Sequence, residues 1–383
     1  MRDTIRLALT GGATGGHLYP LIAIAKEFKK QSSARGWTID ISYIGGAVMN
    51  EKILEKEQIT YHTIASSKIR KYFSLQNIVD VLKFPVGFFQ ALFKLYGIMP
   101  NVLFSKGGPG SVQVVCAAWL LHIPIVVHES DSIPGRGNRI SALCASRIAI
   151  SFEKAKKHFP AKKTALIGQP IDPDFDRYQV TDDDYSTFHL DKTRKIIVIL
   201  GGSQGSQKIN EIASEAIPEM LRYGQVVHQT GAAHFQDIHL VAQGYILDQI
   251  PTRKGDYHPY GFIPHEYLIT LLKMADVVIS RAGSGSIFEI AAAGIASILV
   301  PIPERTAGRH QIENAYEYAD VGACVVIEEG NLTKHMLATF TKKILEDAGM
   351  RDNLKAAAKN FAKPDAAAQV VRELISLIVS QQK

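Results

Sequence analysis

The chain has 383 residues, of which 46% are hydrophobic and 21% charged, a balance that is ordinary for a soluble globular protein of two or three domains. The net charge of +6 favours an anionic partner, such as a nucleotide, a nucleic acid or an anionic membrane, without choosing among them. The widely spaced Cys116, Cys144 and Cys324 argue against a zinc site or a disulfide framework and fit a reducing cytosol. We find neither a signal peptide nor an apolar run of the roughly 18 residues that span a bilayer.

Two segments repeat one pattern. Residues 5–17 (IRLALTGGATGGH) and 195–207 (KIIVILGGSQGSQ) each predict a strand, a glycine loop and the start of a helix. This is the first βα unit of a Rossmann-like domain, so the chain is predicted to hold two α/β domains in tandem. Short apolar runs between helical stretches are typical of buried parallel strands. They predict strands at 5–10, 38–44, 101–104, 123–128 and 147–150, and then at 195–200, 225–229, 276–280, 296–300 and 323–327.

The domain boundary is predicted in the segment GQPIDPDFD, residues 168–176, because two prolines and three aspartates suit a linker. The first domain is then 1–168, the linker 169–175 and the second domain 176–363. Residues 364–383 predict a helix that folds back on the first domain.

The first glycine loop, GGATGGH, narrows the choice of ligand. It lacks the G-x-G-x-x-G pattern, and no acidic residue ends the second strand, which argues against NAD or FAD. The phosphate loop GxxxxGK[ST] is also absent, which argues against a P-loop ATPase. His17 directly follows the loop and is a candidate general base, since imidazole titrates near neutral pH. The alternative is that His17 only packs at the helix start.

The segment SRAGSGSIFEIAAAG, residues 280–294, follows a predicted strand and opens a helix. Ser284 and Ser286 are good helix N-caps, and free N–H groups at a helix start favour an anion such as phosphate. Glu289 lies one turn further on, where a carboxylate can accept two hydrogen bonds from a ribose. The alternative is that Glu289 only favours the helix N-terminus.

Further glycine loops follow predicted strands, at GGSQGSQ with Ser203, SKGGPGS (105–111) and HESDSIPGRGN (128–138). Ligands bind at the carboxyl ends of parallel strands, so two such domains predict a cleft for two substrates. In RHQIENA, Gln311 and Asn314 share a helix face. Their amides either bind sugar hydroxyls or are ordinary polar groups of a helix surface.

Residues 68–99 predict a helix that is apolar around most of its circumference and carries several aromatic and basic side chains. Such a helix is either buried in the core or meets an apolar environment outside the protein. Aromatic side chains mixed with lysine and arginine suit a membrane surface. Both interpretations stay open at this point. The residues concerned are Phe73, Phe84, Phe88, Phe89, Phe93 and Tyr96, with Lys68, Arg70, Lys71, Lys83 and Lys94.

Taken together, GGATGGH, SKGGPGS, HESD, GGSQGSQ, HQTG, SRAGSGSIFEIAAAG and RHQIENA resemble the MurG family of peptidoglycan N-acetylglucosaminyltransferases, in order and over nearly the whole chain. The resemblance implies a GT-B fold, with two Rossmann-like domains whose parallel sheets face across a cleft. It implies inverting transfer of N-acetylglucosamine from UDP-N-acetylglucosamine to lipid I, giving lipid II. It also implies an anionic membrane surface as partner, peripheral binding at the cytoplasmic face of the cell membrane, and no cofactor, metal ion or nucleic acid.

The resemblance also implies roles for single residues. His17 would be the base beside Thr14, Gly15 and Gly16, Ser203 would touch the donor diphosphate, and Ile263 would present its backbone to uracil. Glu289 would hold the ribose and Gln311 the sugar. The remaining substrate-binding residues would be Asp131, Ser284, Gly285, Ser286, Ile287 and Phe288.

Three positions depart from the family pattern, and one of them is His310, which with Gln311 replaces a double glutamine. Asp131 stands where asparagine is expected, and Asp172 stands where a donor-binding arginine is expected. A carboxylate near a diphosphate repels it. Either the linker runs differently here, or Arg281, Arg305 or Arg309 supplies the charge, or the substrate differs. The alternatives are a UDP-N-acetylglucosamine 2-epimerase-like isomerase, another UDP-sugar GT-B transferase, and a non-catalytic nucleotide-sugar binding protein.

Overall fold

The computed structural model describes residues 4–12, 14–48, 50–66, 75–175, 177–202 and 205–381. The chain divides into two compact units. The first unit comprises Met1–Pro173 with Lys363–Lys383, and the second comprises Asp174–Ala362. The sequence predicts a linker at 169–175, and the division between the units falls after Pro173.

The strands of the described residues form two sheets in which every pair is parallel. They are β1 Ile5–Thr10, β2 Ile39–Gly45, β3 Thr60–Thr63, β4 Val102–Ser105, β5 Ile125–Glu129, β6 Arg147–Ile150, β7 Thr164–Leu166, β8 Ile196–Leu200, β9 Gln225–Gln229, β10 Tyr257–Tyr260, β11 Val277–Ser280, β12 Ala296–Leu299 and β13 Cys324–Val326.

The helices alternate with these strands. They are α1 Gly15–Ser33, α2 Glu51–Lys56, α3 Leu75–Ile98, α4 Ser111–Leu120, α5 Arg136–Cys144, α6 Asp182–Thr187, α7 Gln207–Met220, α8 Phe235–Gln249, α9 His265–Met274, α10 Ser284–Ala293, α11 Glu304–Ala307, α12 His310–Asp320, α13 Lys334–Glu346, α14 Ala348–Phe361 and α15 Ala366–Gln381.

The first unit has the strand order β3-β2-β1-β4-β5-β6-β7. Leu7 and Leu9 of β1 pack in one core, and Ala8 between them packs in the core on the other sheet face, as the alternation of a strand requires. Helix α15 adds Val370 and Leu374 to the Leu7 core. The sheet is therefore covered on both faces, which explains why its central strands are apolar runs.

The second unit has the strand order β10-β9-β8-β11-β12-β13, the same arrangement as the first six strands of the first unit. All five residues of β8 are buried, and Ile197 and Ile199 pack with helices α7 and α13. In each unit the strand order reverses beside the first strand, between β1 and β4 or between β8 and β11. Ligands of open α/β sheets bind at the carboxyl ends of strands at this point.

Helix α3 has two different faces. Ala91 and Leu95 are buried against the core of the first unit, and Phe88 packs partly against it. On the other side lies an apolar stripe, which we call the α3 stripe and which consists of Val86, Phe89, Phe93 and Tyr96, 52–72% exposed. The core interpretation is therefore confirmed for one face of this helix, and the membrane interpretation stays a prediction for the exposed face. Phe73, Lys68, Arg70 and Lys71 lie outside the described residues. Among the described residues, no helix has the length and apolar character needed to cross a bilayer.

Candidate active site

The loop after β1 fixes the His17 ring. Thr14 is the N-cap residue of α1, and its Oγ1 lies 2.9 Å from His17 Nδ1. A Cβ added to Gly12 would come within 3.0–3.2 Å of three ring atoms, so a glycine is needed for the ring to lie against this backbone. The hydrogen bond at Nδ1 leaves Nε2 as the nitrogen available to a substrate. A Cβ added to Gly16 would meet nothing within 4 Å, so the helix start borders open space.

The loop after β4 lies against the loop after β1. Gly107 and Gly108 have φ of 79° and 94°, in the left-handed region that favours glycine. A Cβ on Gly108 would lie 2.7 Å from Gly12 Cα and 3.1 Å from His17 Nε2. The two glycine loops therefore touch backbone to backbone at the point where the strand order reverses. His17 Nε2 faces the second loop.

A cavity of about 250 Å³ opens between these loops and the segment after β5. His17, Lys106, Glu129 and Asp131 line it, together with glycines that follow β4 and β5. Arg136, at the start of α5, adds a second cation to the wall. The sequence-predicted base and Asp131 thus share one cavity of the first unit.

Glu129 holds the segment that follows β5. It is 3% exposed, and its carboxylate accepts hydrogen bonds from the backbone N–H groups of Asp131 (2.9 Å) and Gly135 (3.2 Å) and from Asn138 Nδ2 (2.9 Å). Burial, and then the charge of Asp131, raise the pKa of the Glu129 carboxyl to about 7. Since its oxygens are engaged by three donors, Glu129 is a structural carboxylate and a poor candidate for the base.

Lys106 lies 1% exposed beside this cavity. Its ammonium contacts His128 Nδ1 at 3.0 Å, Gln169 Oε1 at 3.1 Å and the Ser130 hydroxyl. Desolvation lowers the pKa of Lys106 to about 8, against the opposing attraction of Glu129 and Asp131. Sequence reasoning missed this residue, although a lysine between a strand and a double glycine is a visible signal.

The His17 imidazole is neutral over the physiological range. Desolvation and, after it, the positive charge of Lys106 lower the pKa of His17 to about 4. A neutral imidazole whose Nδ1–H donates to Thr14 Oγ1 carries its lone pair on Nε2. This side chain can therefore accept a proton from a substrate hydroxyl group that donates a hydrogen bond to Nε2.

In the second unit, the strand β11 runs into α10 through Gly283. Gly283, with φ −66° and ψ 142°, is the N-cap residue, so the prediction that Ser284 or Ser286 caps the helix is wrong. The chain turns one residue earlier than expected, which places Ser284 in the first turn. Gly283 has no side chain to cap the first-turn N–H groups, and a Cβ on Gly285 would meet nothing within 4 Å. This helix start can therefore hold an anion.

Of the next three residues of α10, two are buried and one has an accessible side chain. Ile287 and Phe288 are 0% and 2% exposed, so they can offer a ligand only their backbone. Glu289 is partly accessible, and its Oε1 lies 2.9 Å from His265 Nε2 at the start of α9. A ribose held by Glu289 would have to share the carboxylate with His265.

Helix α12 places Gln311, one of its two predicted sugar-binding amides, beside the start of α10. Gln311 Nε2 lies 3.9 Å from the Cβ position of Gly283, while its Oε1 accepts from the Ile302 N–H at 3.2 Å. Asn314 is fully buried and donates to the Ala282 carbonyl at 3.4 Å. Gln311 thus borders the helix start, whereas Asn314 supports the fold.

The sequence also predicts ligand contacts at Ile263 and Ser203 in the second unit. Ile263 is buried, and its backbone N–H donates to Gln229 Oε1 at 2.9 Å. Its backbone carbonyl is therefore the group that remains for contact with a nucleobase. Ser203 lies outside the described residues. Nearby, Gly205 has φ 79°, and a Cβ there would lie 2.1 Å from the Thr230 carbonyl oxygen.

Asp172, which departs from the family pattern, and Arg281, a candidate to replace the missing charge, both have partners within the fold. Asp172 pairs with Lys26 of α1 at 2.7 Å, within the first unit. Arg281 contacts Glu329 and donates to the carbonyls of Val300 (3.1 Å) and Pro301. Asp172 therefore has a structural partner, and Arg281 is held in the fold of the second unit.

The described side chains include no group of three or more histidine, cysteine or acidic residues that could hold a metal ion.

Comparison with known families covers both units. Residues 7–150 match the glycosyltransferase family 28 N-terminal domain, and residues 196–370 match the C-terminal domain of the same family. Proteins named UDP-N-acetylglucosamine–N-acetylmuramyl-(pentapeptide) pyrophosphoryl-undecaprenol N-acetylglucosamine transferase are similar over nearly the full length. The protein from Bacillus cereus is 34% identical over 96% of this chain and 99% of its own, and that from Legionella pneumophila is 33% identical over 96% of both.

Solved structures share the fold. The MurG of Acinetobacter baumannii has a TM-score of 0.74 at 22% identity, over 97% of this chain and 99% of its own. The UDP-GlcNAc 2-epimerase of Neisseria meningitidis, bound to UDP-GlcNAc, has a TM-score of 0.69 at 13% identity, over 98% of this chain and all of its own. These likenesses confirm the predicted GT-B class and do not separate transferase from epimerase.

Proposed function

This chain belongs to glycosyltransferase family 28, in the family of the undecaprenol-linked N-acetylglucosamine transferases, and from that premise we propose that it makes lipid II. It transfers N-acetylglucosamine from UDP-N-acetylglucosamine to lipid I, the undecaprenyl-pyrophosphoryl-N-acetylmuramyl peptide. The observation that carries the proposal is the 33–34% identity to transferases of this name over 96% of the chain, since that match includes both units.

The second unit is the proposed donor site. The start of α10, at Ser284, Gly285 and Ser286, would bind the diphosphate through first-turn N–H groups, and the helix dipole favours its negative charge. Glu289 would accept hydrogen bonds from the ribose hydroxyls, and Gln311 would contact the sugar. The proposed roles also include Ser203 at the diphosphate, the Ile263 carbonyl at uracil, and the backbone of Ile287 and Phe288.

The first unit is the proposed site of acceptor activation. The acceptor hydroxyl would give its proton to His17 Nε2 as its oxygen attacks the anomeric carbon, and UDP would leave from the opposite face, which inverts the configuration. Thr14 would hold the imidazole in the required tautomer, since Nδ1 is then the donor. Gly15, Gly16 and Asp131 would border the acceptor. Stabilisation of the growing diphosphate charge by oriented N–H groups would supply most of the rate enhancement.

The α3 stripe is the proposed membrane contact. A lipid-linked acceptor stays in the bilayer, so the enzyme has to bind at its surface. Phe89 and Phe93 are 54% and 72% exposed, and Lys83 lies exposed on the same helix. Exposed aromatic side chains with nearby cations favour an anionic interface. We therefore infer peripheral binding at the cytoplasmic face of the cell membrane.

Release of UDP tests this function. Purified protein is incubated with several UDP-sugars, with and without lipid I, and free UDP is measured. We expect release that needs lipid I and is fastest with UDP-N-acetylglucosamine. A preference for another UDP-sugar would point to another transferase of this fold. Conversion of the donor without acceptor would instead favour the epimerase alternative.

A further inference from the structure

Lys106 is a buried cation that the proposed chemistry leaves without a role. It follows β4 directly, and its backbone N–H donates to the Thr10 carbonyl at 2.9 Å. Its stem packs beside Gly11, where an added Cβ would lie 3.3 Å from Lys106 Cβ. The side chain therefore leaves the backbone at the contact between the two glycine loops, next to the loop that carries His17.

The contacts of the ammonium group limit what Lys106 can do. An ammonium has three N–H donors, and three acceptors surround this one: His128 Nδ1, Gln169 Oε1 and the Ser130 hydroxyl. All three are neutral, so the positive charge is not cancelled by a direct carboxylate partner in this set. A substrate anion would have to displace one of these contacts. The position of Lys106 therefore favours a charge held within the fold over direct binding of a ligand.

We propose that Lys106 is a positioning residue of the transfer reaction, whose positive charge adds to desolvation in disfavouring the imidazolium form of His17 and is offset when an anionic substrate enters the cavity. The proposal rests on the function proposed above. Both side chains line the same 250 Å³ cavity at the point where the strand order of the first unit reverses. The cation raises the free energy of the imidazolium beyond the effect of desolvation, so an anion that offsets the cation makes His17 a stronger base.

Three other charged side chains line the cavity. Glu129 and Asp131 face it after β5, and Arg136 faces it from α5. Lys106 is the charged group that lowers the pKa of His17, after desolvation. An anionic group of the acceptor entering the cavity would act in the opposite direction and raise that pKa toward neutrality, where proton acceptance is most effective. The base is then strengthened when the substrate arrives.

The first test is a titration of the substrate-free protein. The midpoint of the His17 imidazole is followed by nuclear magnetic resonance with histidine labelling, the signal being assigned with His17→Ala. We expect the midpoint to rise by about 0.5–1 pH unit in Lys106→Met, because one partly buried charge is removed. Lys106→Arg keeps the charge and should keep the midpoint. An unchanged midpoint in a folded Lys106→Met protein would overturn the proposal.

Lys106→Gln is the second uncharged variant. It retains an N–H donor for the contacts of the ammonium, and it decides the question if Lys106→Met does not fold. Because this titration needs no turnover, it tests the Lys106–His17 coupling even if the proposed transferase activity is absent.

The pH profile of kcat gives the second readout. A change that is only structural lowers kcat by the same factor at every pH. The proposal instead requires the acidic limb of the profile to move to higher pH in Lys106→Gln, and the limb of Lys106→Arg to stay with the wild type. Equal loss at all pH values in both variants would refute it.

Discussion

Removing the two most prominent rings of the α3 stripe should release the protein from anionic vesicles. Phe89 and Phe93 are 54% and 72% exposed. Taking about 200 Å² for a phenylalanine side chain, the two rings present about 250 Å² to the surroundings. At about 25 cal/mol per Å², complete insertion contributes about 6 kcal/mol, and half insertion about 3 kcal/mol. Phe89→Ser/Phe93→Ser should therefore weaken partition into vesicles by about 100-fold or more.

Co-sedimentation with vesicles containing anionic lipid measures this loss. Leu240→Ser/Leu247→Ser is the matched control, since these side chains are 67% and 51% exposed on α8 of the second unit and should not matter for binding. Phe88 is left intact because it packs partly against the core. Equal binding by the stripe variant and the wild type, with both folded, would refute the membrane assignment.

Three further predictions concern the donor site, the base and stability. Glu289→Ala should weaken UDP and UDP-sugar alike by about 1–3 kcal/mol in calorimetry, whereas Gln311→Ala should weaken only the UDP-sugar; unchanged UDP affinity in the first variant would remove the ribose assignment. His17→Ala should lower kcat by roughly 10²–10⁴ with donor affinity unchanged, and near-normal turnover would place the base elsewhere. Gly205→Ala should lower the free energy of unfolding by about 1–3 kcal/mol in urea melts, because its Cβ would meet a carbonyl oxygen at 2.1 Å. Gly244→Ala, with open space at its Cβ, is the control and should not destabilise.

The buried strands could be predicted because their sequences are short runs of apolar residues. The ten predicted strands are all present, with bounds shifted by one or two residues at most. The strands that were missed, β3, β7 and β10, lie at sheet edges. Their sequences TYHT, TAL and YHPY are short or polar, since an edge strand is not covered on all sides and needs no apolar run.

The glycine loops were predictable for a related reason. Close backbone approach, as between Gly12 and Gly108, excludes any side chain and so leaves a visible signal in the sequence. The pairings made by folding leave no such signal. Lys106 with Gln169, Glu289 with His265, and Asp172 with Lys26 join residues that are far apart in the chain. Sequence reasoning therefore located the loops but not the partners that fix the charge state of their side chains.

Identification of the lipid product tests the central claim most directly. The protein is incubated with UDP-N-acetylglucosamine and lipid I, and the lipid fraction is analysed by mass spectrometry and by nuclear magnetic resonance of the new linkage. We predict a lipid heavier by one N-acetylhexosamine residue, joined with inverted anomeric configuration, and an equal amount of UDP. Unchanged lipid I together with UDP-N-acetylmannosamine, or a linkage of retained configuration, would contradict the account.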